Sequence, residues 1–158
     1  MIPSWLVIGI VEIAIAVGFN AFLSAEDRRW FFRLRRPSWL TFERLIPVIW
    51  LFIFVCGGWS AYITWESRGE EFTAGLLMFL YVAVEVAIVS YTPVMLKFRS
   101  LLAGTLVGGT GFVLGCILAV LVAPLSGWAV VLLLPYLLWS PIGTYVTWKM
   151  IPLNPGAV

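Results

Sequence analysis

The chain has 158 residues, of which 62% are hydrophobic and only 11% are charged, and its mean hydropathy is +1.03. About a quarter of the residues in a soluble domain are charged, and a chain of this size has too little interior to bury so much apolar surface. The composition therefore excludes a soluble fold. The formal net charge of +2 gives no electrostatic basis for a nucleic-acid partner.

The content of histidine and cysteine excludes several kinds of chemistry. The chain has no histidine, which removes histidine acid–base catalysis and histidine-ligated haem. Cys56 and Cys116 both lie in apolar runs, which indicates small buried side chains rather than a metal site or a disulfide. We expect no metal site and no required cofactor.

Five long apolar runs follow one another along the chain, at about residues 5–23, 47–65, 73–95, 101–124 and 128–150. Each approaches the ~20 residues that a helix needs to cross a bilayer, and none alternates as a barrel strand would. No basic residue precedes the first run, which favours a retained helix over a signal peptide. The sequence predicts an all-α membrane protein, one domain over residues 1–158, with five spanning helices and a long loop between the first two.

The basic residues predict the orientation of these spans. Nine of the ten lie at the ends of the runs that would meet at one membrane face: Arg28, Arg29, Arg33, Arg35, Arg36, Arg44, Lys97, Arg99 and Lys149. Because basic residues concentrate on the cytoplasmic side, we expect the N-terminus outside, the C-terminus inside and the segment 24–46 in the cytoplasm. A bacterial cytoplasmic membrane is the expected location.

The first connection is unusually long and aromatic, and it contains the stretch "WFFRLRRPSWLTFERLIPVIW" at residues 30–50. A connector between two spans needs only a few residues. Trp50, Trp148, Asn20 and Ser90 lie near the helix ends that reach the same face, so the connection is predicted to form a lid over a pocket. The alternative is an interfacial belt of aromatic residues that binds no ligand.

Glu12 and Glu85 lie inside the first and third runs, each 10–11 residues from the predicted cytoplasmic end. An ionised carboxylate at that depth is costly unless it is paired or faces a polar cavity. One interpretation is a shared proton or a polar contact at the floor of the pocket. The other is two neutral acids that form hydrogen bonds with the backbone or with each other.

The last two runs contain features of close packing. Gly104, Gly108, Gly111 and Gly115 form two GxxxG spacings, which favour either a dimer face or packing inside the bundle. Pro135 and Pro141 each remove a backbone donor within the last run and favour a bend. Gly143, one turn beyond Trp139, leaves space where a side chain would stand. A bent helix with a small residue near aromatic side chains would suit a flat ligand.

Three motifs, "RRWFFRLRRPSW", "PVIW" and "PYLLWSPIGTYVTW", resemble the TspO/translocator-protein family, also called tryptophan-rich sensory proteins or peripheral-type benzodiazepine receptors. The resemblance implies a five-helix bundle, usually a homodimer, with a pocket under the first loop. Relatives bind porphyrins and other tetrapyrroles, and several bind sterols or synthetic ligands. Some bacterial members are associated with light-dependent breakdown of porphyrins, which is attributed to tryptophans of the pocket.

The resemblance implies a tetrapyrrole ligand, namely a porphyrin, a haem-pathway intermediate or a bilin, and a regulatory, sensory or transport role. The alternatives are a light- and oxygen-dependent porphyrin-degrading enzyme, with Trp50 and Trp148 as its reactive groups, or a protein that binds or transports a sterol or lipid. The expected ligand-binding residues are Trp30, Phe31, Pro37, Trp39, Trp50, Phe54, Ser90, Gly143, Thr147 and Trp148. The expected polar residues within the membrane are Glu12, Asn20 and Glu85.

Overall fold

The computed structural model describes residues 3–21, 23–67 and 71–158, and every regular element among them is helical. The helices are α1 (Ser4–Ala21), α2 (Ala25–Arg33), α3 (Ile46–Glu66), α4 (Glu71–Phe98), α5 (Leu101–Val122) and α6 (Gly127–Met150), with a 3₁₀ turn at Glu43–Leu45. Serines begin α2, α5 and α6, because each accepts a hydrogen bond from the backbone N–H three residues later. The all-helical prediction is confirmed.

The long helices match the apolar runs of the sequence. Four of them, α3, α4, α5 and α6, are long and apolar enough to cross a membrane. Helix α1 is apolar but has only 18 residues, which gives a length of about 27 Å against a hydrocarbon layer of about 30 Å. The fold is that of a multi-pass membrane protein, and the spanning role of α1 stays a prediction.

The long helices form a ring. Helix α5 packs between α4 and α6, α6 packs on α3, and α1 closes the ring by packing on both α3 and α4. The buried core of the ring includes Ile53, Leu118, Leu133 and Tyr136. Among the described residues, the helices line one cavity near α2 and another toward the opposite end of the bundle.

The four glycines of the two GxxxG spacings in α5, Gly104, Gly108, Gly111 and Gly115, face other helices of the same chain. A Cβ atom at Gly104 would meet Met95 of α4 at 3.0 Å, and one at Gly108 would lie 2.5 Å from Thr144 of α6. Gly111 lies against the hydroxyl group of Tyr136, and Gly115 lies against its ring. The structure thus uses this stripe for packing inside the bundle, and the homodimer stays a prediction.

The connection between α1 and α3 is not a loop throughout, because its first part folds into α2. Ser24 and Asp27 form a capping box, in which the Ser24 side chain accepts from the Asp27 N–H and the Asp27 carboxylate accepts from the Ser24 N–H. This Ser-x-x-Asp spacing is visible in the sequence. Residues 34–45, which we call the lid, follow α2 and end in the 3₁₀ turn.

The lid and the C-terminal segment share a small core at the α2 end of the bundle. Its buried members are Leu34, Met95, Leu101, Met150 and Ala157, and Trp30 and Phe31 pack against them. The Leu101 N–H donates a hydrogen bond to the Ala157 carbonyl at 2.7 Å. The chain beyond α6 therefore turns back and supports α2 and the lid.

Candidate functional site

The cavity near α2, which we call the α2-end cavity, has a volume of about 480 Å³. This volume lies within the range of ~300–1,000 Å³ typical of small-molecule sites. Its walls combine the lid with the inner faces of the ring. The side chains that shape it include Phe31, Arg36, Phe42, Trp50, Phe54, Tyr91, Trp139, Ser140, Thr144 and Thr147.

Arg36 holds the lid over this cavity. Its Nε donates to Glu43 Oε1 at 2.8 Å, and its Nη1 donates to the Leu34 carbonyl at 2.7 Å. The guanidinium also lies 4.8 Å from the centre of the Phe31 ring. The two ends of the lid are thus joined through one side chain, whose positive charge is paired with Glu43.

Trp139 of α6 forms the opposite wall. The Phe42 ring of the lid meets the Trp139 ring edge-on, with a centroid distance of 6.1 Å. The Trp139 Nε1 atom is buried and has no hydrogen-bond partner among the residues that the structure describes. A buried N–H without an acceptor costs free energy, and a ligand oxygen or ring nitrogen in the cavity would supply that acceptor.

The remaining polar groups of the cavity are hydroxyls on facing helices. Tyr91 of α4 and Thr147 of α6 share a hydrogen bond between their hydroxyls, and the Thr147 hydroxyl also lies 3.4 Å from the Gly143 carbonyl. Ser140 and Thr144 line the same wall of α6. The cavity therefore offers large aromatic faces and a few polar atoms, a combination suited to a flat ligand with limited polarity.

Ion pairs join α2 to the end of α4 and to the turn that follows it. Lys97 Nζ donates to Asp27 Oδ2 at 2.9 Å, and Arg99 pairs with Glu26. The hydrogen bond from Lys97, together with those from Ser24, lowers the pKa of the Asp27 carboxyl from 3.8 to about 2. Asp27 thus stays ionised and paired in ordinary buffers.

The C-terminal segment holds the start of the lid through Asn154. Its Oδ1 accepts from the Arg35 N–H at 2.8 Å, and its Nδ2 donates to the Arg35 carbonyl at 2.9 Å. Nδ2 also donates to the Met150 carbonyl at the end of α6. One amide side chain therefore joins the lid to the last helix.

The structure brings half of the predicted ligand-binding residues to this cavity. Those that line it are Phe31, Trp50, Phe54, Gly143 and Thr147.

Other predicted residues lie elsewhere. Trp30 packs in the small core beside Leu34, and Pro37 is buried in the lid. The Ser90 hydroxyl donates to the Ala87 carbonyl, and Ser90 does not line the cavity. The side chain of Asn20 lies outside the part of the chain that the structure describes.

Trp148 and Trp39 lie on the outer surface instead. Trp148 is 51% exposed and its ring contacts Tyr145, which in turn contacts the Trp39 ring of the lid. Lys149 lies over the Trp148 ring at 4.8 Å. Trp148 follows Thr147 by about 100° around α6, and this rotation places the Trp148 ring on the outer surface while Thr147 lines the cavity.

Sequence reasoning missed Trp139 and Arg36. Tyr136, Trp139, Ser140, Gly143 and Thr147 follow the i, i+3, i+4, i+7 spacing of one helix face, and all line the cavity. Applied to α6, this spacing selects Trp139 over Trp148. No comparable pattern identifies Arg36, because its position depends on how the irregular lid folds.

A second cavity, which we call the carboxyl cavity, contains Glu12 and Glu85. It has a volume of about 440 Å³ and extends toward Ser4 and Trp65 at the end of the bundle away from α2. Phe54 lines both cavities. Glu12 and Glu85 therefore line one space. That space is not the cavity beneath the lid, at whose floor one interpretation of the sequence placed them.

The comparisons with known proteins agree with the resemblance seen in the sequence. A model of the TspO/MBR family matches residues 6–153. The tryptophan-rich protein TspO of Bacillus cereus is 26% identical over 128 residues, which cover 81% of this chain and 82% of that protein. The uncharacterized membrane protein YtaB of Bacillus subtilis is 25% identical over 136 residues, covering 84% of this chain and 85% of that protein. Because the family model spans nearly the whole chain, this chain belongs to the TspO/MBR family.

Proposed function

We propose that the protein binds a tetrapyrrole, or a similar flat amphipathic ring, in the α2-end cavity. The observation that carries the proposal is the pair of indoles, Trp50 and Trp139, on the walls of a cavity closed by the lid. Contacts between aromatic rings contribute about 0.5–1.5 kcal/mol each beyond the burial of apolar area. The unpartnered Trp139 N–H supplies a donor for an acceptor atom of the ligand.

Ligand binding would change the position of the lid, and another molecule could recognise that change. A carboxylate on the ligand would compete with Glu43 for Arg36, the side chain that joins the two ends of the lid. Binding would then shift the lid. This fits a sensory, regulatory or transport role in a membrane where α1 is the fifth span, the N-terminus is outside and the C-terminus is inside.

The test is a titration of the full chain, purified in detergent, with protoporphyrin and with a linear bilin. Binding is followed by the absorbance band of the ligand. Quenching of tryptophan fluorescence is not used, because energy transfer from any of the nine tryptophans would quench the signal wherever the ligand bound. Wild type is compared with Trp50→Phe. Trp148→Phe serves as the matched control, because it removes an indole from the outer surface.

We expect saturable binding by wild type and an affinity about 2- to 12-fold weaker in Trp50→Phe. Trp148→Phe should bind within about twofold of wild type, the change typical of a surface substitution. Uptake that never saturates, or equal losses in the two variants, would mean that the ligand partitions into detergent or onto the surface. Either result would remove the basis of the proposal.

A second function, light-dependent oxidation of bound porphyrin, is favoured by the same two indoles beside one cavity. Illumination of the porphyrin complex, with and without oxygen, tests it against a dark sample. We expect the porphyrin absorbance to decay only with light, oxygen and folded protein, and more slowly in Trp139→Phe. Equal decay with denatured protein would leave binding as the function.

A further inference from the structure

We propose that the carboxyl cavity is a second and separate binding site, which takes a lipophilic amine. Its walls come from α1, α3 and α4, and Leu118 of α5 and Leu133 of α6 also line it. Helix α1 covers the cavity with one face, formed by Ser4, Val7, Ile8, Val11 and Glu12. This site does not depend on tetrapyrrole binding, because neither the lid nor Trp139 lines it.

The Glu12 carboxyl is held at the cavity wall by close packing against α3. A Cβ atom built on Gly58 would lie 2.6 Å from Glu12 Oε2, so the carboxyl group lies directly against the Gly58 backbone and would have to shift if a side chain were added there. At the neighbouring Gly57, which also lines the cavity, a Cβ atom would meet nothing within 4 Å. The carboxyl is thus tightly placed, with open space beside it.

Glu85 approaches the same space from α4. Its Oε1 atom is fully buried and has no hydrogen-bond partner among the described residues. Glu12 and Glu85 line the same cavity from α1 and α4. A buried carboxyl oxygen without a donor is costly in a bilayer interior, and a ligand with an ammonium group would supply that donor.

The other residues that line the cavity favour a ligand that is apolar apart from its ammonium group. The lining is dominated by aliphatic and aromatic side chains, among them Ile53, Met78, Leu118 and Leu133. The Tyr81 hydroxyl is already engaged, at 2.6 Å from Ser60 Oγ and 3.0 Å from Thr64 Oγ1. Glu12 and Glu85 are the acidic side chains of this lining, and they supply the carboxyl groups that an ammonium group would recognise.

The size of the cavity distinguishes an amine from a bare cation. A metal ion bound by carboxylates needs several oxygen ligands around a small space, whereas this cavity has about 440 Å³ and mostly apolar walls. No group of three or more His, Cys, Asp or Glu that could hold a metal occurs among the described residues. The ammonium group of a lipophilic amine would pair with the carboxyl groups, and its apolar body would occupy the rest of the cavity.

Phe54, Ile88 and Tyr136 separate this site from the α2-end cavity, since all three line both spaces. The two sites therefore lie one after the other along the interior of the ring. Substitutions of Glu12 or Glu85 should therefore leave the affinity for the tetrapyrrole unchanged. Failure of one site is thus distinguishable from failure of the other.

The experiment measures binding of monodansylcadaverine, a fluorescent amine with an apolar ring system, to the full chain in phosphatidylcholine nanodiscs. Its N-acetyl derivative has nearly the same shape but no ammonium group, and empty discs report partition into lipid. The variants are Glu85→Gln and Glu12→Gln, which keep the size of the side chain. Glu26→Gln, on the exposed face of α2, is the matched control.

We expect saturation at one amine per chain and at least about tenfold weaker binding of the N-acetyl derivative. Glu85→Gln and Glu12→Gln should each weaken the amine at least about tenfold and leave the N-acetyl derivative unchanged, which shows that the cavity still folds. Glu26→Gln should bind both probes like wild type. Equal binding of the two probes, or wild-type amine affinity in both glutamine variants of the cavity, would overturn the proposal.

Discussion

The α2-end cavity and the carboxyl cavity occupy the same ring of helices, and they differ in what covers them and in which polar atoms they present. The first is covered by the irregular lid and presents indole and hydroxyl groups. The second is covered by α1 and presents two carboxyl groups on otherwise apolar walls. Their volumes, about 480 and 440 Å³, are nearly equal. Size therefore cannot decide which ligand each would take.

The difference shows how one bundle can offer two chemistries. A few inward positions on α1, α4 and α6 set the character of each cavity, while the shared residues Phe54 and Tyr136 keep the two apart. Aromatic walls favour a flat ring through stacking, and the buried Glu85 Oε1 atom, which has no hydrogen-bond donor among the described residues, favours a cation. Substitutions can therefore be chosen that affect both cavities, or one alone.

The largest effect is expected where both cavities share a wall. In Gly115→Ala the new Cβ atom would lie 2.5 Å from Tyr136 Cε1, so the ring of a residue that lines both cavities must move. Such overpacking costs about 1–3 kcal/mol, and both ligands should bind more weakly. Chemical unfolding followed by circular dichroism measures the loss of stability.

Gly109→Ala is the matched control for this change, since a Cβ atom at Gly109 of the same helix meets nothing within 4 Å. It should alter the free energy of unfolding by no more than about 0.5 kcal/mol. If Gly115→Ala were as harmless as Gly109→Ala, the packing of Tyr136 against α5 would be incorrect.

A smaller effect, confined to the α2-end cavity, is expected from Asn154→Ala. This change removes the hydrogen bonds that join Asn154 to the Arg35 backbone, which hold the start of the lid. A hydrogen bond contributes about 0.5–1.5 kcal/mol net to holding the lid in place. If this contribution is lost, the tetrapyrrole should be released about 2- to 12-fold faster. Stopped-flow displacement measures this rate.

Pro155→Ala, at the adjacent exposed position, should leave tetrapyrrole release unchanged. Release of the amine from the carboxyl cavity should also be unchanged in Asn154→Ala, because the lid does not line that space. Faster release of both ligands would show that Asn154 supports the whole bundle rather than the lid.

The smallest effect concerns the ion pair between Asp27 and Lys97. Because the folded-state pKa of Asp27 is about 2, below its usual 3.8, ionised Asp27 contributes stability that is fully present above pH 3.8. This contribution is lost as the pH falls toward 2. Wild type should therefore melt at a higher temperature than Asp27→Asn above about pH 4, and most of the difference should be lost by pH 2.

Thermal melts between pH 2 and pH 6 measure this difference, with Glu26→Gln as the control on the same helix. Glu26 is exposed and pairs with Arg99 at the surface, so its loss should produce a smaller difference. A gap between wild type and Asp27→Asn that stays constant down to pH 2 would contradict the role assigned to the pair.

The long helices could be predicted from the sequence because lipid requires continuous apolar runs. The predicted run 101–124 corresponds to Leu101–Val122, and the run 128–150 to Gly127–Met150. The nine residues of α2 could have been predicted from the Ser24–Asp27 capping box, but the charged composition of the segment suggested a loop. Apolar periodicity detects the spans and misses a short polar helix at their end.

The candidate site was less predictable, because depth in the membrane does not specify which side of a helix faces inward. Trp50 and Trp148 both lie near the α2 end, yet Trp50 lines the cavity and Trp148 is 51% exposed. The spacing of Gly143 and Thr147 would have indicated Trp139 instead. The position of Arg36 depends on contacts with Glu43 and the lid backbone, which no periodic pattern encodes.

The most direct test of two separate sites is a set of affinities measured for Trp139→Phe and Glu85→Gln with both protoporphyrin and monodansylcadaverine. We expect Trp139→Phe to weaken protoporphyrin about 2- to 12-fold, and Glu85→Gln to weaken the amine at least about tenfold. Each variant should bind the other ligand like wild type. If either variant weakened both ligands equally, the two cavities would act as one site and the account would be contradicted.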